Sequence, residues 1–186
     1  MNRRVFTMLL TSLSVLTAGL CLLLFSKKTY GAIPYYDNSY ALVIGIGKYD
    51  ASKWEDLDNA VKDAKSVAEI LQSQGFQVTA LYNEEAKRSS ILKEQNDLAR
   101  KLKHNDRVVF FFAGHGHTEE VGGEDFGYIV PYDGTGTETY ISMDELRSQS
   151  KKLGTAKHLL FLIDSCYGGL LVKRSGAIPE SIPDYL

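Results

Sequence analysis

The sequence predicts an α/β fold in which a mostly parallel sheet carries helices on its faces. Segments of strand character alternate four times along the chain with segments of helical periodicity. The first of these strand segments, residues 40–47, is an apolar run without alternation, a pattern typical of strands that are buried on both faces. The 186 residues are enough for one domain with a useful core.

The first half of the predicted sheet lies in residues 40–81. Residues 40–47, YALVIGIG, form a continuous apolar run and are the first strand. Residues 58–74 follow as a helix, because their apolar side chains recur at the spacing of one helical face and Gly75 stops the pattern. Residues 76–81 are the second strand.

The second half contains two more strands and two more helices. Residues 89–102 are amphipathic and predict a helix capped by Ser89 or Ser90. Residues 107–113, RVVFFFA, are the third strand; a Gly-rich acidic stretch at 118–127 and a small strand or hairpin arm at 128–131 follow. Ser142 and Glu145 have capping-box spacing and open a helix that extends to about residue 151. Residues 157–163, KHLLFLI, are the fourth strand.

The N-terminal residues predict a membrane-directed segment. Residues 5–25 carry no charge and lie between Arg3-Arg4 and Lys27-Lys28. As a helix they would cover about 30 Å, which is the thickness of a bilayer core and longer than a typical signal-peptide apolar region. We expect residues 1–30 to be a single-helix anchor, with an exported form after signal cleavage as the alternative, and 31–39 to be a linker. Basic flanks on both sides leave the orientation open.

Charge and cysteine content exclude two classes of protein. The net charge is −2, and without the four basic residues of the N-terminal segment the rest has 17 Lys and Arg against 23 Asp and Glu. Such an acidic remainder argues against a nucleic-acid partner. Cys21 and Cys166 are the two cysteines and lie in regions of very different character, which excludes a disulfide framework.

Two residues at the carboxyl ends of strands could carry nucleophilic chemistry. Cys166 follows the fourth strand, between Asp164 and the Gly168-Gly169 pair, and His115 follows the third strand between two glycines. Ligands of parallel sheets bind beyond this edge, so a histidine base could face the thiol. The alternatives are a buried strand-end cysteine and His117 as the base, although His117 is more typical of an exposed loop. His104 and His158 are interpreted as structural.

Five motifs in unbroken order resemble the caspase-like cysteine peptidases, on the bacterial and metacaspase side of that superfamily. They are YALVIGIGKY, LDNAVKDAKSVAEIL, VVFFFAGHG, GYIVPYD and LLFLIDSCYGG. The resemblance extends over about residues 40–171. The resemblance implies a caspase-like three-layer αβα fold with His115 as catalytic histidine and Cys166 as nucleophile. It also implies an oxyanion hole formed by the backbone N–H groups of Gly116 and Cys166.

The resemblance further implies a substrate pocket. Asp63 and Asp164 match the two aspartates that line the S1 pocket in the metacaspase-like branch. Two carboxylates there would favour Arg or Lys at P1 and repel Asp; the alternative for Asp63 is a solvated acid that complements the helix dipole. Lys173-Arg174 is a possible self-processing site, with a solvated basic dipeptide as the alternative.

No cofactor or metal is assigned from the sequence. The Gly45-Ile-Gly47 pair lacks the third glycine of a dinucleotide loop. An acidic cluster after His117 offers oxygen atoms that suit calcium, but its spacing identifies no site and a solvated loop is favoured; its members are Glu119, Glu120, Glu124 and Asp125.

The resemblance leaves the smaller C-terminal part of a caspase-like domain unaccounted for. Residues 172–186, interpreted as a tail or processing linker, are too short to supply its strands and helices. A sheet that ends at the fourth strand would expose an apolar edge. We therefore expect a small-subunit or homo-oligomeric partner, and the alternative function is a catalytically incomplete module that binds or regulates other proteins.

Overall fold

The computed structural model describes residues 35–165. It contains seven strands, β1 (Ser39–Gly45), β2 (Gln77–Tyr82), β3 (Arg107–Ala113), β4 (Gly116–Val121), β5 (Glu124–Ile129), β6 (Ile141–Ser142) and β7 (His158–Asp164). Strands β2, β1, β3 and β7 form one sheet in that order, and every neighbouring pair is parallel. The mostly parallel four-stranded sheet predicted from the sequence is therefore confirmed.

Helices cover both faces of this sheet. They are α1 (Ala60–Ser73), α2 (Arg88–Lys101) and α3 (Met143–Leu153). The alanines of α1 pack on one face against Val43, Val109 and Phe111, whereas Ile91 of α2 and Leu146 of α3 pack on the other face. The result is the predicted three-layer αβα arrangement, with its largest buried side chains in the central strands β1 and β3.

The start of α2 differs from its predicted form. The helix begins at Arg88, and neither Ser89 nor Ser90 caps it; instead the Asp133 carboxylate, 45 residues away in sequence, accepts the Arg88 N–H at 2.8 Å. At α3 the predicted cap is present, because the Ser142 hydroxyl accepts the Glu145 N–H at 3.0 Å. The Glu145 carboxylate does not complete the capping box but binds the Arg88 guanidinium at 2.9 Å. Tertiary contacts therefore replace the whole predicted cap at α2 and only the glutamate half of the capping box at α3.

The Gly-rich acidic stretch is a hairpin, so its interpretation as a loop at 118–127 is wrong. Strands β4 and β5 pair antiparallel, and with β6 they form a second, three-stranded sheet. Gly122 and Gly123 supply the turn at φ values of 64° and 84°, the left-handed conformation that a two-residue hairpin turn requires. Within residues 35–165 no group of three or more His, Asp or Glu side chains is placed to hold a metal ion.

Strand β7 forms one side of the sheet in the described part of the chain. Its Leu160 and Leu162 are 50% and 42% exposed, as an apolar edge requires. The anchor predicted at 5–25 and the tail at 172–186 lie outside the described residues. Between residues 35 and 165 no helix is both long enough and apolar enough to cross a bilayer.

Replacing Asp106 by Ala should destabilise the domain by about 2–3 kcal/mol. Asp106 is fully buried and its carboxylate accepts hydrogen bonds from Asn38 Nδ2 and Lys103 N, both at 2.8 Å. Without it these two part-buried donors lose their acceptor. Urea unfolding of the full chain measures the loss, and Asp56→Ala, which removes an exposed carboxylate, should leave the midpoint unchanged. Equal midpoints for both variants would contradict this account.

Candidate active site

A cleft of about 470 Å³ opens at the carboxyl edge of the four-stranded sheet. Its walls are formed by the loop that precedes α1, by the first turn of α1, and by the ends of β3 and β7. The register places Ala113 beside Asp164, and the Gly114 N–H donates to the Asp164 carbonyl at 3.2 Å. Pairing of β3 with β7 therefore continues into the loop that carries His115.

The His115 ring is held in one orientation. Its Nε2 lies 2.8 Å from the backbone carbonyl of Glu55, and because a carbonyl only accepts, Nε2 carries the proton. In the neutral ring Nδ1 is then the basic nitrogen. The rings of Trp54 and Tyr49 pack against the imidazole at centroid distances of 4.9 and 5.0 Å. The ring therefore has a fixed tautomer in which Nδ1 is available as the base.

Tyr49 also fixes the backbone that carries the histidine. Its hydroxyl accepts the His115 N–H at 2.7 Å. A Cβ at position 114 would lie 2.7 Å from the same hydroxyl, which explains why glycine is required there. Burial raises the pKa of Tyr49 above its ordinary value, with the His115 N–H opposing in part. Tyr49 could not be recognised from the sequence, because its position after the first strand carries no chemical signal.

Stability should depend on Tyr49 at high pH. The folded state holds the hydroxyl protonated, whereas the unfolded chain ionises it near pH 10. The unfolded state therefore binds fewer protons above that pH, and the free energy of unfolding falls as pH rises, by up to about 1.4 kcal/mol per pH unit for this group. Urea unfolding between pH 8 and 11 should show a steeper decline for the wild type than for Tyr49→Phe. Parallel curves would contradict the burial of this hydroxyl.

The acidic wall of the cleft depends on a close approach of α1 to β1. A Cβ at Gly45 would lie 2.5 Å from Ala64 Cβ, and the N–H of Gly47 donates to Asn83 Oδ1 at 2.9 Å. The Gly45-Ile-Gly47 pair thus serves packing and loop anchoring. Asp63, in the first turn of α1, and Asp164, at the end of β7, both line the cleft with His115.

A third carboxylate, Asp58, also lines the cleft. The helix was predicted to begin at residue 58, but α1 begins at Ala60, so Asp58 lies in the preceding loop. Its spacing of five residues before Asp63 gave no signal that both face one cavity.

The remaining predicted site residues do not line the cleft or lie outside the described residues. Gly116 is buried at the start of β4, and a Cβ there would lie 3.0 Å from the Ser165 hydroxyl. That hydroxyl is buried and has no hydrogen-bond partner among residues 35–165. His117 packs in an aromatic cluster with Trp54, Tyr128 and Tyr140 and does not line the cleft. Cys166, Lys173 and Arg174 lie outside the described residues.

Comparisons with known proteins identify a family and similar folds. The family model described as the caspase domain matches residues 38–184. A crystal structure of a Geobacter sulfurreducens protein is similar at 25% identity and a TM-score of 0.61, covering 73% of this chain and 53% of that one. The crystal structure of the Drosophila initiator caspase Dronc is similar in fold at 16% identity and a TM-score of 0.50, covering 70% and 54%.

The chain spans about half the length of these two structures. A comparison with curated proteins finds no significant match.

Proposed function

The chain belongs to the caspase domain family, and from that premise we propose that it is a cysteine endopeptidase that cleaves peptide bonds after Arg or Lys. The observation that carries this proposal is that His115, Asp63 and Asp164 line one and the same cleft. It combines a histidine base of fixed tautomer with carboxylates that suit a basic side chain. Ser165 lines the same cleft, and Cys166 is the next residue along the chain.

In the proposed mechanism His115 Nδ1 takes the proton of the Cys166 thiol. The thiolate attacks the scissile carbonyl carbon, and the N–H groups of Gly116 and Cys166 donate to the oxyanion that develops. His115 then gives its proton to the leaving amine, and water hydrolyses the thioester. The Glu55 carbonyl supports this sequence because it binds Nε2 and leaves Nδ1 available to the thiol. The chemistry needs no cofactor.

Specificity would come from charge and hydrogen bonding at the cleft wall. A guanidinium can bind a carboxylate in a bidentate manner, whereas an Asp side chain at P1 would be repelled by Asp63 and Asp164. Asp58 adds a third negative charge to the same wall. We further propose a membrane tether at residues 5–25 and a second chain that completes the cleft.

A non-catalytic module that binds partner proteins is the second candidate. Leu160 and Leu162 favour it, because they expose apolar surface on β7, at the side of the sheet where no further strand pairs within residues 35–165. Such an edge is a template for pairing with another chain.

Peptide hydrolysis distinguishes the two functions. Fluorogenic peptides with Arg, Lys or Asp at P1 are offered to the full chain, alone and with a candidate small-subunit chain, before and after alkylation of thiols. Arg and Lys peptides should be hydrolysed, and alkylation should stop the reaction. Preference for Asp would refute the pocket assignment, and absence of thiol-dependent hydrolysis with the second chain present would favour the binding module.

A further inference from the structure

Charge is segregated between the two ends of the four-stranded sheet. We define the amino edge as residues 35–38, 101–107 and 151–158, which lead into β1, β3 and β7. It carries six Lys and Arg against two Asp, of which Asp106 is buried; the basic residues are Lys101, Lys103, Arg107, Lys151, Lys152 and Lys157. The loops and hairpin at the opposite end, residues 46–59, 83–87 and 116–140, carry twelve Asp and Glu against three Lys.

The amino edge is a fixed surface, because hydrogen bonds join its three segments. The Asp37 N–H donates to the Asn105 carbonyl at 3.0 Å, and the Lys157 N–H donates to the Asp106 carbonyl at 2.8 Å. The Asp106 carboxylate joins the first and second segments through Asn38 Nδ2. Lys103 and Lys157 are exposed on this frame.

Aromatic side chains accompany the basic ones. Tyr35 is 65% exposed, and the Lys157 ammonium lies 3.8 Å from the centroid of its ring. The Arg107 guanidinium lies 4.6 Å from the ring centroid of Tyr36, whose hydroxyl contacts His158 Nδ1 at 2.9 Å. Tyrosine beside lysine and arginine is the combination that proteins use at the boundary between lipid headgroups and water.

We propose that the amino edge rests on anionic lipid headgroups, so that the acidic cleft faces away from the bilayer. This inference rests on the membrane tether of the proposed function. Residues 26–34 separate the apolar segment from Tyr35, and nine residues span at most about 30 Å. This limit keeps Tyr35, at the start of the amino edge, within about 30 Å of the end of the proposed membrane segment. Nucleic-acid phosphates share the chemistry of lipid phosphates, but the exposed Tyr35 and the neighbouring apolar segment favour lipid.

Fluorescence quenching by brominated lipids tests the orientation. Trp54 is the single tryptophan and packs on His115 at the carboxyl edge, so it reports on the end directed away from lipid. Tyr35→Trp adds a reporter on the amino edge. The full chain carrying this change is reconstituted into vesicles of brominated phosphatidylcholine with and without phosphatidylglycerol. The added emission should be quenched in anionic vesicles and less quenched in neutral ones, whereas the wild-type emission should not be quenched in either.

Charge reversal on the Tyr35→Trp background supplies the matched control. Lys103→Glu with Lys157→Glu should abolish the difference between anionic and neutral vesicles, since each basic residue near such a surface contributes about fivefold in affinity. Lys48→Glu with Lys87→Glu makes the same charge change at exposed positions of the opposite end and should leave the quenching as it was.

Several outcomes would overturn the inference, and one would leave it standing. Equal quenching in neutral and anionic vesicles, or quenching that survives Lys103→Glu with Lys157→Glu, would remove the role of the basic edge. Quenching of Trp54 would reverse the orientation. Binding of labelled duplex DNA through Lys103 and Lys157 without lipid quenching would assign the surface to nucleic acid. A chain that a carbonate wash strips from vesicles would refute the tether and this surface together, whereas loss of peptide hydrolysis with quenching intact would refute only the peptidase.

Discussion

Cys166→Ala and His115→Ala should each lower kcat/KM for an Arg-P1 peptide by about 10³-fold or more. The first change removes the nucleophile. The second removes the base whose Nε2 is bound to the Glu55 carbonyl at 2.8 Å and leaves the thiol largely protonated near neutral pH. Because the two residues act as one unit, the double variant should be about as slow as either single variant.

Steady-state kinetics on the assembled enzyme measures these losses. His117→Gln is the matched control: it changes a histidine two residues away that does not line the cleft, and we expect a loss of less than about tenfold, well below that of general-base removal. If His117→Gln were as slow as His115→Ala, the base assignment would be wrong. If Cys166→Ala kept its activity, the mechanism would fail.

Asp63→Asn and Asp164→Asn should each lower kcat/KM for Arg-P1 peptides by about 10- to 100-fold, because a charge-assisted hydrogen bond is replaced by a neutral one. The loss should appear mainly in KM when P1 binding is equal in the ground state and the transition state. Asp-P1 peptides should become relatively better substrates, because removing a carboxylate removes repulsion.

Two further substitutions calibrate this result. Asp58→Asn changes a carboxylate that lines the same cleft and should cause a smaller loss, and Asp56→Asn, which lies outside the cleft wall, should cause none. A uniform loss in all four variants would mean that overall negative charge attracts the substrate and that Asp63 and Asp164 do not hold the P1 side chain. Salt dependence separates the two cases, since long-range attraction is screened at high ionic strength.

The sheet could be predicted because buried parallel strands are apolar throughout. The runs at β1 and β3 have that pattern and are buried. The run at β7 is also apolar, although its alternate residues are exposed, and all three strands pair as the alternation of strands and helices predicts. The small strand or hairpin arm predicted at 128–131 overlaps the end of β5. The first arm of the hairpin was missed because residues 116–121, GHTEEV, are mostly polar. Its pairing depends on turn geometry.

The candidate site was predictable only in part. Motif resemblance indicated His115, Asp63 and Asp164, and the described cleft brings these three together, although their roles stay predictions. Tyr49 and the Glu55 carbonyl could not be found, because a backbone acceptor has no sequence signature and a buried hydroxyl is recognised only by what it contacts. The cap of α2 by Asp133 was missed for the same reason: its partner is 45 residues away.

The Glu55 contact has an evolutionary consequence. The acceptor is a main-chain oxygen, so a substitution of the residue-55 side chain need not remove it. The acidic cleft wall, in contrast, consists of side chains that single codon changes can remove or reverse. A lineage of such enzymes could therefore exchange one P1 preference for another while its histidine kept the same tautomer, so that selectivity would drift faster than chemistry.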